Sequence, residues 1–253
     1  MFHSISIRHE SREANGVQLQ EPSTYWKKMR LRQIVRGTLL GLTVTTFAFA
    51  AQGDTAGAQQ FIEGKQTQIR TLVTANAPKA DVTNVIDSMI DYNTITQRAL
   101  GNPCPTTIPN CTNHWAALSP DQKDEMTKLY TQLIAKKIND NAQNTKNYDV
   151  TYKNTKDLGG DLSKVRTEAQ DRTKPRDPPT QIDYVVHQDT SASPVVYMTW
   201  DIVNEGSWLT KNYYDQSHKM LITDGQGYNY LVQKLKDRIA GKTKEKMNGQ
   251  EDK

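Results

Sequence analysis

The hydrophobic period changes at Tyr148, and that change constrains the fold more than any other feature of the chain. Downstream of it, apolar and polar residues alternate in four segments. Their apolar members are Tyr148, Val150 and Tyr152; Val165 with Thr167 and Ala169; Ile182, Tyr184 and Val186; and Val196, Met198, Trp200 and Ile202. A period of two places alternate side chains on one face of a strand. Gly159-Gly160, Pro175, Pro178-Pro179 and Pro194 fall between the segments, where turns need them. Four such strands predict an antiparallel sheet with one covered face and one wet face. On that alternation Val196, Met198, Trp200 and Ile202 share the covered face, whereas Asp201 and His187 face solvent.

On either side of the strands the period is three to four, which is helical. Phe61, Ile62, Ile69, Leu72 and Val73 form one stripe, and Pro78 interrupts it. Val82, Val85, Ile86, Met89 and Ile90 form the next, and the helical reading over 58–101 ends at Gly101, a residue suited to a helix C-terminus. Ser119, Pro120 and Gln122 then open a further helix as a capping box with proline in the first turn. Its apolar face is Met126, Leu129, Tyr130, Leu133, Ile134 and Ile138. After Gly206, Leu209, Tyr213 and Met220 line one helix, and Tyr228, Leu231, Val232, Leu235 and Ile239 another. The fold class is α+β: N-terminal and C-terminal helices packed on one face of a twisted antiparallel sheet of about four strands.

The first fifty residues read differently. Lys27, Lys28, Arg30, Arg32 and Arg36 precede an uncharged stretch from Gly37 to Ala51 that holds Leu39, Leu40, Leu42, Val44 and Phe47. Ala48-Phe49-Ala50 follows as an A-x-A cleavage pattern. This is the layout of a secretory signal peptide over 29–50, preceded by an upstream extension over 1–28. The apolar part is shorter than the roughly 20 residues that span a bilayer. Residues 51–241 then make a single domain, and 242–253 a polar, disordered tail. The predicted localisation is periplasmic. Residues 1–50 carry seven of the 32 Lys and Arg and three of the 28 Asp and Glu, so 25 of each remain. The net charge of +4 therefore belongs to the export segment and gives no argument for nucleic acid as a partner.

Both cysteines, Cys104 and Cys111, lie in a stretch stiffened by Pro103, Pro105 and Pro109. An exported chain meets an oxidising compartment, which predicts that the two are bonded. A zinc site would need four ligands; His114 is a third candidate and the sequence offers no fourth, so no metal is assigned.

The stretch 200–220 packs Asp201, Glu205, Ser207, Asp215 and His218 among aromatic rings, an inventory that could serve a hydrolase. A hydrolase needs a nucleophile, a base within reach and a group orienting the base. Ser207 lacks a G-x-S-x-G elbow, and His218 lies eleven residues further along. Turn and capping chemistry accounts for these residues, with Ser207 starting the next helix. No catalytic residue is assigned.

Four collinear strings, "IDYNTITQRALG", "HWAALSPDQKDEMTKLYTQLI", "WDIVNEGSWLTKNYYDQ" and "DGQGYNYLVQKLKDRI", resemble the periplasmic phospholipid-shuttle family of the lipid-asymmetry pathway, the MlaC or toluene-tolerance family. The resemblance spans about residues 58–240. The chain departs from the family's pattern in the lengthened cysteine loop, in Tyr214 where arginine is common, and in Ser217 and His218 where phenylalanine is common. The resemblance implies an apolar cavity between sheet and helices that holds a phospholipid, with no cofactor. It implies lipid contacts from Val150, Tyr152, Val165, Tyr184, Val186, Val196, Met198, Trp200, Ile202 and Tyr213. It implies an inner-membrane ABC transporter complex with its lipid-binding domains, and an outer-membrane lipoprotein complex, as partners. Rival readings are a carrier of hopanoids or other lipids, a secreted interaction protein with a filled core, and a periplasmic hydrolase.

Overall fold

The computed structural model describes residues 54–242. The upstream extension, the signal peptide and all of the tail beyond Lys242 lie outside the described residues.

The helical reading over 58–101 resolves into three helices. α1 (Thr55–Thr74) starts at Asp54, whose carboxylate accepts the Gly57 N–H. α2 (Lys79–Asp87) starts after Pro78, and α3 (Tyr92–Ala99) starts at Asp91, which caps Thr94. The second interruption has a tertiary cause. Thr199 N–H donates to the Met89 carbonyl and Asp91 N–H to the Thr199 carbonyl, so the chain at Ile90 leaves the helix to pair with a strand. α4 (His114–Ala117) is a single turn. α5 (Pro120–Ala142) opens with both halves of the predicted capping box in place. α6 (Leu209–Ile222) and α7 (Tyr228–Ile239) close the chain.

Six antiparallel strands form the sheet among the described residues: β1 (Tyr148–Tyr152), β2 (Lys156–Gly159), β3 (Leu162–Asp171), β4 (Thr180–Asp189), β5 (Val196–Asn204) and β6 (Ser207–Trp208). The order is β1-β3-β4-β5-β6, with β2 beside β1 along the same edge of β3. The sequence predicted about four. β2 and β6, at four and two residues, are too short to display an alternation of their own.

The expected alternation along β5 is broken. Val185 pairs with Asp201 and Val186 with Thr199, so Trp200 is an extra residue with no partner opposite it. Such a bulge reverses which face the following residues point to. Tyr184 pairs with Ile202 and His187 with Met198. Tyr184 and His187 are three apart on β4 and lie on opposite faces, so Ile202 and Met198 do too. Val196, Met198, Trp200 and Ile202 therefore do not share a face, which corrects the reading from the sequence.

α1 lies across β3 and β4 and packs on α2, whereas α3, α5, α6 and α7 pack on one another. One continuous apolar core joins them, including Ile62, Ile86, Ile95, Met126, Tyr130 and Leu231. Cys104 and Cys111 are bonded, with Cα atoms 5.8 Å apart. The loop they close is seated on α6, where the Tyr214 hydroxyl accepts the Thr112 N–H at 2.9 Å. Gly101 permits that seating: its φ is +82°, and a Cβ there would press on the Thr112 carbonyl oxygen.

Candidate functional site

On the face of the sheet that carries Tyr184 and Ile202 there is a pocket of about 330 Å³. Strands supply one wall through Val150, Ile182, Tyr184 and Ile202. Helices and their connections supply the other through Ile69, Met89, Ile90 and Ile138. Arg70, Asn141, Asn144 and Thr145 bring polar groups to the lining, with Asn141 and Asn144 exposed. Arg70 is held in place by donating to the Tyr148 carbonyl at 3.1 Å.

A small polar network crosses the apolar wall. Gln66 on α1 donates from Nε2 to the Tyr184 hydroxyl at 2.9 Å, and the Tyr152 hydroxyl donates to Gln66 Oε1 at 2.6 Å. Burial pushes both phenols upward from their ordinary pKa, and the neighbouring Tyr184 adds to the effect on Tyr152. Both therefore remain protonated, neutral donors at any ordinary pH.

Of the residues to which the family resemblance gave lipid contacts, Val150, Tyr184 and Ile202 line the pocket. Tyr152 reaches it through Gln66. Val165 and Val186 belong to the buried core. Tyr213 is buried among the helices, its ring 5.4 Å from that of Tyr130. Val196, Met198 and Trp200 are carried to the other face by the bulge, where Trp200 stacks on His187 at 3.8 Å. The sequence reading missed Ile182, whose alternation with Tyr184 was available. It also missed the helical wall, whose meeting with the sheet is a tertiary event with no local signal.

The other face is wet along β1 and β3, where Lys164, Arg166 and Glu168 keep accessible surface, but it is closed between β4 and β5. Asp183, Val185, Asp201 and Val203 are at most 2 % exposed. Lys164 sits 3.4 Å from Asp183, and Gln181 Nε2 donates to both of its carboxylate oxygens. Asp201 was expected to face solvent; it is instead fully buried. Its Oδ1 accepts the Thr210 N–H at 3.1 Å, and its Oδ2 accepts the Thr210 hydroxyl. α6 has no side-chain cap from the residue preceding it, so Asp201 caps it from a strand. Burial raises the Asp201 pKa, against the opposing pull of those hydrogen bonds.

The remaining members of the hydrolase-like inventory are engaged separately. Glu205 accepts the Gln181 N–H at 2.6 Å, and Lys211 pairs with Asp215 at 2.7 Å. Ser207, in β6, pairs with Asn204 of β5 rather than capping α6, and accepts from Asn212 at 2.8 Å. His218 meets His114 at 2.8 Å between Nδ1 and Nε2. Burial, and then the charge of His218, hold His114 below the ordinary histidine pKa. Among the described residues no three His, Cys, Asp or Glu side chains converge on a point suited to a metal ion. No helix among them is long and apolar enough to cross a membrane.

The family profile that matches the chain is that of the MlaC protein, over residues 59–237. Among solved structures, the chain is similar to the phospholipid-binding protein from Ralstonia solanacearum, which was solved in complex with a phospholipid. That likeness has a TM-score of 0.56 at 21 % identity, and covers 73 % of this chain and 97 % of that one. At that identity it speaks for the fold. No curated protein matches.

Proposed function

The chain belongs to the MlaC family, and from that premise we propose that it is a periplasmic phospholipid carrier. One observation carries the reading: strand-central apolar residues, Ile182, Tyr184 and Ile202, retain accessible surface because they line a pocket instead of a packed core. Protein interiors are ordinarily close-packed, so a void of this size on the apolar side of a sheet calls for an occupant. Each acyl methylene removed from water gains about 0.8 kcal/mol. The pocket lies near the lower end of the range for small-ligand sites, roughly 300–1,000 Å³. It shelters part of a lipid's acyl region, with the headgroup left at the Asn141–Asn144 rim, where water spares it the cost of desolvation. The relative from Ralstonia solanacearum, whose fold this chain shares, was solved with a phospholipid, and this supports the same ligand class here.

In this reading the chain works by binding and release, without a chemical step. Its partners are an inner-membrane ABC transporter complex and an outer-membrane lipoprotein complex, and the carrier crosses the aqueous space between them. The working domain is 51–241.

Mass spectrometry of lipids extracted from the purified protein tests the reading. Phospholipid should be present in near-stoichiometric amount. Ile202→Trp, which projects into the pocket, should fold with an unchanged melting temperature and copurify with several-fold less lipid. In a filled core the same change would overpack and cost about 1–3 kcal/mol. A native protein that carries no lipid, joined to a strongly destabilised Ile202→Trp, would sink the proposal.

A further inference from the structure

The Gln66–Tyr152–Tyr184 network leaves one hydroxyl proton without an acceptor. The amide oxygen of Gln66 accepts from Tyr152, and its N–H donates to Tyr184. The Tyr184 O–H is then left with no acceptor among the described residues. Turning the amide over would exchange the roles of the two phenols, and one phenol proton would still lack an acceptor. Of the two rings, Tyr184 forms the pocket wall.

The other polar groups deep in the lining do not relieve it. Neither the Thr167 hydroxyl, which donates to the Ile182 carbonyl, nor the Thr145 hydroxyl, which donates to the Ala142 carbonyl, accepts from Tyr184. Arg70 brings donors alone. Once an occupant fills the pocket and excludes water, a donor left without a partner is costly, so an occupant that offers an acceptor at this point is favoured over one that does not.

We propose that Tyr184, oriented by Gln66, is a specificity-determining residue that donates a hydrogen bond to an ester carbonyl of the bound lipid. This rests on the carrier reading above and deepens it. An acyl ester lies where the chains leave the glycerol, at the boundary between an apolar pocket and a polar rim. An ether linkage at the same place has no carbonyl, and a polycyclic hydrocarbon has no acceptor at that depth. The pocket therefore discriminates by linkage chemistry as well as by size and apolarity. A site built to hydrogen-bond a ligand rejects the analogue that lacks the group more strongly than an apolar pocket rejects a change of one methylene.

The test uses vesicles that hold equal amounts of two phosphatidylcholines with the same chains, one diester and one diether. The purified full-length protein is loaded from them and its bound lipid quantified by mass spectrometry. Native protein should favour the diester by about tenfold, the ratio that roughly one buried hydrogen bond supplies. Tyr184→Phe, which keeps the ring and removes the hydroxyl, should bring the ratio near one through loss of bound diester. Gln66→Leu, which leaves the Tyr184 ring untouched, should lower the ratio part-way and gives the same test should Tyr184→Phe fail to fold. Equal loading of both lipids by native protein would overturn the proposal and leave the carrier reading intact. A ratio retained in both variants would also overturn it. A protein that loads neither lipid would bring down the carrier reading and this inference together.

Discussion

Where β4 meets β5 around Tyr184 and Ile202, the two faces of the sheet invert the usual expectation of apolar inside and polar outside. The face that carries Val150, Ile182, Tyr184 and Ile202 is the apolar one, yet it keeps accessible surface because a pocket lies against it. The face that carries Asp183 and Asp201 is the charged one, yet those carboxylates are 1 % and 0 % exposed. The difference lies in what covers each. Helices stand off from the first face and leave a void. On the second, the start of α6, together with Lys164, engages the carboxylates directly.

The largest expected effect comes from breaking the closed face. Asp201→Ala leaves the Thr210 N–H and hydroxyl without their acceptor and uncaps α6. It should lower unfolding free energy by about 2–4 kcal/mol, measured by urea denaturation. Lipid content per folded molecule should not change, since Asp201 lies on the opposite parity from the pocket wall. A loss of lipid that outruns the loss of fold would mean the two faces are not independent.

A smaller effect, and a sharper one, is in pH. The Asp201 pKa is raised in the folded protein, so the protonated form is the one folding prefers. The stability this group contributes is fully present below the unfolded carboxylate pKa of about 3.9, and is lost as pH rises through the folded value. Asp201→Asn cannot ionise. Its stability relative to the native protein should therefore improve as pH rises from about 4, in urea titrations across a pH series. If Asp201 were solvated, as the alternation predicted, the two curves would run parallel.

The smallest effect should come from Met198→Trp. Met198 is partly accessible on the face away from the pocket, so the larger ring should change stability by less than about 0.5 kcal/mol and leave lipid content unaltered. A drop in lipid would place Met198 on the pocket face after all, and would remove the bulge from the account.

Local chemistry made much of this architecture legible. Ser119 and Gln122 announced α5 to the residue, the two cysteines announced their bond, and the period of two announced β1, β3, β4 and most of β5. The bulge was not legible, because Trp200 continues an apolar alternation and nothing local marks it as the extra residue. Asp201 misled for a related reason. A carboxylate on a polar parity looks solvated until a helix nine residues later in the chain comes to rest on it. Half of the pocket wall, from Ile69 to Ile90 and Ile138, is contributed by helices whose stripes look like any core stripe. Periodicity reports which side is apolar; it does not report whether that side is filled.

The helix cap supplied from β5 has a kinetic consequence. α6 carries no side-chain cap of its own, so its first turn is complete only when β5 is already seated. The residue beside that cap is Ile202, a wall of the pocket. Closing the helix joins residues nine apart, but finishing the wall also needs Met89 to meet Thr199, a contact distant in sequence and of the kind that forms slowly. The receptacle for the ligand should be among the last parts of the molecule to exist, and a chain that has not finished folding should offer a lipid nowhere to go.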